Sequence, residues 1–366
     1  MKIIDRYIIL KFLTTFFFCL ILFLVIIVVI DLSERTDDFV KADLTFWQIV
    51  TDYYAGLIPR LGSMLFPLFV FISVIFFTSK MAGRSEVIAM LSSGVSFRRF
   101  MLPFVLGGLF LSGLLWLGYQ FIIPKANRKW ADFDIKYLSN NARPNLDGKR
   151  GSYKTNVYFK LDSLSYIGLK GYDTVSKSGS NFFVQRYVKN KLVYNLRASN
   201  ILWDTANKNW KLGGVQERFL DSINERIIIS DQKVFNYNFK PIDLRNDDYL
   251  KEQMTTRQLD NFIKAEEMRG SPNVGGLLVE RYNRDAIPAS CLILTIIGVS
   301  LASRKVRGGS GAHLALGVLI SVMYILFSRI SVVFATQGDF SPFLAAWTPN
   351  IAFGLLALYI YHKAPK

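Results

Sequence analysis

The sequence predicts a membrane α-helical fold: six transmembrane helices in a 3+3 plan, with an antiparallel β-jellyroll-like domain inserted between the third and fourth. Three observations predict it. Long uncharged runs recur along the chain, the loops between them alternate in charge, and the longest loop changes to a two-residue period.

The runs are Phe12–Ile30, Leu61–Ser79, Phe100–Ile123, Ala286–Ser303 and Ser341–Tyr361, with a sixth, His313–Ala335, broken only by Arg329. Crossing the hydrocarbon core takes roughly 20 residues, whereas helices of soluble proteins average about 11–12. Distribution decides here, because a chain that is 51% hydrophobic and 20% charged is not far from a soluble composition. The spans are expected near Leu10–Ile30, Ile58–Thr78, Phe100–Ile123, Asp285–Ser303, His313–Ala335 and Phe343–Tyr361. The first has a basic flank, but it is too long for a signal-peptide core and runs into DLSERTDDF without a small-x-small cleavage site, so it reads as an anchor.

Loop charge sets the orientation. Lys2, Arg6 and Lys11, then Lys80, Arg84, Arg98 and Arg99, then Arg304, Lys305 and Arg307, and finally Lys363 and Lys366 all fall on one side if six helices alternate. The other side carries Asp31, Glu34, Asp37, Asp38, Asp43 and Asp52 in the first loop, and Asp339 in the fifth. Both termini are therefore expected in the cytoplasm, and residues 125–280 on the far side.

Within that insert NVYFKL, SYIGL, NFFVQRYV, KLVYNLRASNILWD, NWKLGGVQERFL and RIIIS are β-rich runs separated by turn signals. They predict an antiparallel sandwich or jelly roll, with Val157, Phe159 and Leu161 facing a common interior. TTRQLDNFIKAEEMRG then has helical period, with Thr255 or Thr256 as its cap, Leu259, Phe262 and Ile263 on one face and Met268 as a candidate fourth member, an amphipathic helix at about 255–269. The expected organisation is 1–124 (three spans), 125–280 (the β domain) and 281–366 (three spans). Over Lys125–Glu280 there are 26 Lys and Arg against 18 Asp and Glu. A basic domain above a membrane could attract anionic lipid or glycolipid, and equally serves solubility. No nucleic-acid partner is expected from the net charge of +16, part of which belongs to cytoplasmic loops.

The chemistry of an enzyme is missing. No G-x-x-x-x-G-K-[ST] occurs. Neither does G-x-S-x-G, H-E-x-x-H or a Cys/His cluster, and Cys19 and Cys291 both lie inside apolar runs. No metal and no cofactor is expected. The pattern is that of a permease whose energy source is a separate protein. Such a permease needs a cytoplasmic element that docks on its ATPase, and Arg84–Ser93 suits this role. It has good helix formers, Glu86 in the first turn, an apolar face of Val87, Met90 and Leu91, and Gly94 as a stop. The same residues also read as an ordinary cytoplasmic loop.

DRYI near the N-terminus, RSEVIAMLSSGVS after the second run, LVYNLRASNILWD with NWKL in the insert, and the tail from ERYNRDAIPAS through SGAHLALGV to LAAWTPN resemble the lipopolysaccharide-transport permeases LptF and LptG. The DRYI start and the length resemble LptG more than LptF. The resemblance covers nearly the whole chain and implies an LptB-like ATPase dimer, a second LptF-like or LptG-like permease, an LptC-like bridge protein and lipopolysaccharide as partners. It places the family's coupling acid on Glu86, beside Arg84. One departure stands out: LptG proteins can carry a lysine where this chain has Asp31, and the nearest bases are Arg35 and Lys41. Arg329, an ionisable group inside a span, either snorkels or faces the cavity near a lipid phosphate or Asp31. Arg128 and Lys129, just past the third run, complete the candidate lipid contacts. Two other classes remain possible on sequence alone. One is a mechanical-transmission ABC permease that drives events outside the cytoplasm without exporting lipid. The other is a membrane enzyme, for which the spans offer only Arg329.

Overall fold

A computed structural model describes residues 3–138, 155–162, 164–173, 176–189, 191–221, 224–235, 237, 239, 241, 250–269, 274–304, 309–337 and 340–364. The chain divides into two compact units. The first comprises Met1–Phe133, Glu252–Leu259 and Gly275–Lys366, and the second Asp134–Lys251 and Asp260–Val274.

Among the described residues, six helices are long and apolar enough to cross a membrane: Ile3–Lys41, Phe46–Gly83, Phe97–Leu138, Val274–Ala302, Gly311–Thr336 and Pro342–Lys363. The expected runs lie within them to within one residue, but several helices continue well past the apolar stretch. The first carries DLSERTDDFVK as further helical turns, because polar side chains cost nothing once the helix has left the hydrocarbon. The second begins with a short helix, Phe46–Gln48, and a π-helical turn, Ile49–Tyr54, before running on to Gly83.

The second span is the hub of the first unit, packing against the first, third and fifth. Phe66, Val70, Val74 and Phe77 from it meet Ile8, Phe12 and Phe16 of the first span and Phe100, Phe104 and Leu111 of the third. Its opposite face sets Phe71 and Ile75 against Leu294, Ile297 and Phe353. Lipid tails are as apolar as these side chains, so close packing rather than escape from water holds the helices together. Small residues serve that packing: a Cβ on Gly107 would lie 2.7 Å from the Phe12 ring, and one on Gly108 2.7 Å from Thr295 Oγ1.

The second unit is a six-stranded antiparallel sheet: β1 (Thr155–Lys160), β2 (Ser165–Asp173), β3 (Ser178–Val188), β4 (Lys191–Asp204), β5 (Asn209–Leu220) and β6 (Glu225–Phe235). Each of the six predicted runs is a strand, so the expected antiparallel β domain between the third and fourth spans is present. Where sequence suggested two layers, the described strands form one sheet in chain order, β1 to β6. The physical reason is local: successive strands close on each other through short turns, with positive φ at Lys189 and Lys208, and hairpins are the shortest route to pairing. One face buries Ile167, Leu169, Phe182, Val184, Leu196, Ile201, Leu212 and Val215, with Trp210 against Phe239. Trp210 Nε1 donates to the Phe239 carbonyl at 3.0 Å, and Phe235, Tyr237 and Phe239 stack in sequence over this face. The segment after β6 thus caps the apolar side. Leu161 packs against the same cluster, while the side chains of Val157 and Phe159 lie outside the described residues.

The return helix runs Thr256–Arg269. Thr255 and Gln258 cap it reciprocally, the Thr255 N–H reaching Gln258 Oε1 at 3.0 Å and the Gln258 N–H reaching Thr255 Oγ1 at 3.4 Å. Leu259 and Ile263 are buried, but Met268, in the last turn before the helix ends at Arg269, is exposed, which corrects its placement on the apolar face.

Candidate functional site

The short segment between the second and third spans is a helix, Glu86–Ser92. It starts from Ser85 in left-handed backbone (φ 61) and ends on Gly94 at φ 87. Beyond the helix, the Gly94 N–H bonds the Leu91 carbonyl and the Val95 N–H that of Met90, the paired bonds of a Schellman stop. Glycine is needed there because a side chain would clash at that φ. The apolar face turns inward, which corrects the expectation for Val87. Val87 is 0% exposed and sits in the core of the first three spans, with Met90 and Leu91 packed against it. What the helix presents outward is Arg84, Ile88 (50% exposed) and Ala89. Glu86, with a third of its side chain exposed, pairs with Arg84 at 3.9 Å. The helix is seated on the spans by its apolar side and offers a small, mixed face.

Beside it, the first and third spans are joined by a pair that sequence reading missed. Arg99 Nη2 donates to Asp5 Oδ2 at 2.6 Å, and Asp5 is 6% exposed. The DRYI aspartate is thus tied to the first turn of the helix that follows the short segment. A separation of 94 residues leaves no local signal for such a contact.

At the opposite end of the first span, Asp31 gathers three donors. Tyr53 and Tyr54 hydroxyls approach its two oxygens at 3.0 and 3.2 Å, and Arg35 Nε approaches Oδ1 at 3.2 Å. Arg35 also lies 5.8 Å over the Tyr53 ring. The two tyrosines are consecutive residues at the end of the π-helical turn, a local distortion that often marks a functional position. The structure therefore does not pair Arg329 with Asp31, whose ligands come from its own helix and the second span. Arg329 is exposed on the fifth span, with no hydrogen-bond or ion-pair partner among the described residues. Lys41 is exposed at the end of the first helix.

A second polar cluster of the first unit surrounds Arg60. Its guanidinium lies 4.1 Å over Trp130 and pairs with Glu252 at 3.4 Å. Asn127 donates to the Glu252 carbonyl at 3.0 Å, Arg128 reaches the Gln253 carbonyl at 3.5 Å and Gln258 Oε1 at 3.4 Å, and Lys129 pairs with Asp52 at 3.3 Å. Arg284, 1% exposed, contacts Glu280 at 3.4 Å and Thr256 Oγ1 at 3.2 Å. Gly56 fits beneath: a Cβ there would sit 2.7 Å from Trp130 N and 2.8 Å from Ala126 O. Arg128 and Lys129, taken from sequence as lipid contacts, are thus engaged in holding the 252–258 segment and the second span. The sequence cues for this cluster were Arg128 and Lys129 and the charged ERYNRD string.

Among the described residues no group of His, Cys, Asp and Glu could hold a metal ion. No curated protein matches the chain. A family model described as "Lipopolysaccharide export system permease LptF/LptG" matches residues 6–363, which covers both units and all six span helices. The chain belongs to the LptF/LptG family of lipopolysaccharide export permeases, and is a multi-pass protein of the inner membrane.

Proposed function

We propose that this chain is one of two permease subunits that lift lipopolysaccharide out of the inner membrane and pass it to an LptC-like bridge. A separate LptB-like ATPase dimer supplies the energy. In this reading both termini and the Glu86–Ser92 helix are cytoplasmic, and the β domain lies in the periplasm. The loop charges support that placement: the bases flank the spans on the side of the helix, and the acids lie at the other ends.

The observation that carries the reading is the seating of the short helix. Val87 anchors it in the core shared by the first three spans, while Glu86, Arg84, Ile88 and Ala89 stay accessible. A push on the outward face is then delivered to the spans rather than absorbed by a loose loop. Glu86 pairs with a base of the ATPase, exchanging its long contact to Arg84 for a desolvated one. At the other end, Arg329 and Lys41 present cations for the lipid phosphates, with Arg35 beside them in its pair with Asp31. Arg35 lies one turn beyond Asp31, the position where LptG proteins can carry a lysine, and is held against Asp31 and the Tyr53 ring.

The test is Glu86→Lys in the purified complex, reconstituted in vesicles and assayed for lipid release and ATP hydrolysis. Truncating or reversing one side of an interfacial charge pair costs about 2–5 kcal/mol, so release should fall at least about thirtyfold while the permease still inserts and folds. Wild-type release and association by Glu86→Lys would leave the helix as an ordinary loop.

A further inference from the structure

The sheet has a second face, and its chemistry is not that of a plain solvated surface. Strand register puts two neighbouring cross-strand rows on it. One runs Tyr158, Gly168, Phe183, Arg197, Gln216 and Ile229; the other runs Lys160, Tyr166, Gln185, Asn195, Arg218 and Ile227. The apolar residues of the core alternate with these and point the other way.

Three properties of the rows matter. First, rings are laid open: Tyr158 is 55% and Tyr166 45% exposed. Phe183 lies across Gly168, where a Cβ would come within 2.2 Å of its ring, and Tyr158 meets Phe183 at 6.2 Å. Second, planar amides stand beside the rings, Gln185 on β3, Asn195 on β4 and Gln216 on β5. The Tyr187 hydroxyl holds Gln185 at 3.3 Å, while Asn195 is 5% exposed with an Oδ1 that has no hydrogen-bond partner. Third, the rows contain Lys160, Arg197 and Arg218 and no acid. Glu225, at the start of β6, pairs with Arg218. Arg197, exposed between Phe183 and Gln216, has no ion-pair or hydrogen-bond partner among the described residues.

We infer that this face is a binding surface for an acidic oligosaccharide, such as the phosphorylated sugar portion of the lipid cargo. Pyranose rings have apolar C–H faces that lie flat on tyrosine and phenylalanine, with hydroxyls at their rims for amides and guanidinium groups. Phosphate or carboxylate substituents meet Arg197 and Lys160, arginine having the fork geometry for a doubly bonded oxyanion. Tyrosine suits the task because it pairs an apolar ring with a polar tip. A surface selected only for solubility has no use for exposed rings, and a surface for a polyanion alone needs none. The inference rests on the export reading and deepens it: the polar half of the cargo has its own place on the β domain, separate from any site for its acyl chains.

The test uses the full chain in lipid nanodiscs and, as probe, the oligosaccharide freed from lipopolysaccharide by complete deacylation, followed by saturation-transfer NMR and calorimetry. Wild type should bind it. Tyr166→Ser with Arg197→Gln should weaken binding about tenfold or more, while Tyr166→Phe should stay within about twofold. Both altered side chains are solvent-facing, so melting of the protein should not change. Failure of the oligosaccharide to bind, or equal binding by the double variant, overturns the proposal. Equally tight binding of inorganic polyphosphate, lost with Arg197→Gln but not with Tyr166→Ser, would reduce the face to a charged patch. A shift to lower oligomer mass in the variants would make it a protein interface and also overturn the proposal. Release of intact lipopolysaccharide by the complex is measured alongside. Release without oligosaccharide binding defeats this inference alone, whereas loss of release in the wild-type complex defeats the export reading itself.

Discussion

Removing the carboxylate of Glu217 should loosen one half of the β domain without touching the spans. Glu217 lies on β5 at 3% exposure, between Leu196 of β4 and Ile228 of β6. It accepts from the Tyr194 hydroxyl at 2.6 Å and from Lys233 Nζ at 2.5 Å, so one side chain ties three strands. In Glu217→Ala the tyrosine hydroxyl loses its acceptor, which costs about 1–3 kcal/mol. Lys233, 40% exposed, turns to water and adds little. Local opening of β4–β6 should then be about fivefold to a hundredfold more frequent. Amide hydrogen exchange of the full protein in nanodiscs reads this directly, with the span amides as internal reference. Tyr194→Phe removes the stranded hydroxyl, so Glu217→Ala added to it should cost less than Glu217→Ala alone. The pH dependence has a definite sign. Burial pushes the Glu217 carboxyl up, but hydrogen bonds from Lys233 and Tyr194 outweigh it and leave the pKa below the ordinary value. A group depressed on folding stabilises above its unfolded pKa, about 4.3, and that contribution disappears as pH falls through the folded value. Protection of β4–β6 should therefore decline below about pH 4, and Glu217→Gln should blunt the decline. Unchanged exchange in Glu217→Ala, or protection that rises on acidification, would refute this account.

Three further outcomes are expected from packing and charge. Arg60→Met loses the ring contact with Trp130 and the Glu252 pair, and amides of 252–256 should exchange about tenfold faster, with Arg60→Lys intermediate. Asp5→Asn leaves Arg99 without its anion; the detergent-solubilised protein should lose about 1–2 kcal/mol, discounted because Arg99 is partly exposed, and Asp5→Arg with Arg99→Asp should recover part of it. Gly56→Ala forces a methyl against backbone atoms of Trp130 and Ala126 and should cost about 1–3 kcal/mol by thermal unfolding in detergent. Gly113→Ala, with nothing within 4 Å of the new carbon, should be neutral or stabilising by up to about 1 kcal/mol.

What could be read from the chain beforehand followed from rules that act over one element. Uncharged length marks a span, two-residue alternation marks a strand, and Gly94 after EVIAMLSS marks a stop; each is visible in the structure. The misreadings share a cause, which is that direction and partner depend on distant residues. Val87 looked like an offered face because its apolar neighbours are periodic, yet the same periodicity fits a face turned onto the spans. Arg128 and Lys129, read as candidate lipid contacts, stay exposed but also meet a segment 125 residues on and Asp52, which no local pattern could show. Tyr53 and Tyr54 carried no signal, since only the fold brings them 22 and 23 residues back to Asp31.

The spans themselves show where the chain remains unfinished. Most of the apolar window of the second span is buried within the chain, 67%, against 6% for the first and 17% for the fifth. In water such bare helices would demand a partner, but in lipid an exposed Phe18 or Leu319 is satisfied. Apolar exposure therefore decides nothing here. A charge does, because lipid tails cannot solvate a guanidinium. Arg329, exposed on one of the two barest helices and without an ion-pair partner among the described residues, either snorkels to the interface or takes its counter-charge from a group beyond them. If that counter-charge is an anion from outside, a phosphate of the proposed cargo and a carboxylate of a second permease would both serve, and they part under one substitution. Arg329→Gln should weaken lipid release from a complex that still assembles if the anion is cargo. It should weaken assembly itself if the anion belongs to a neighbouring subunit.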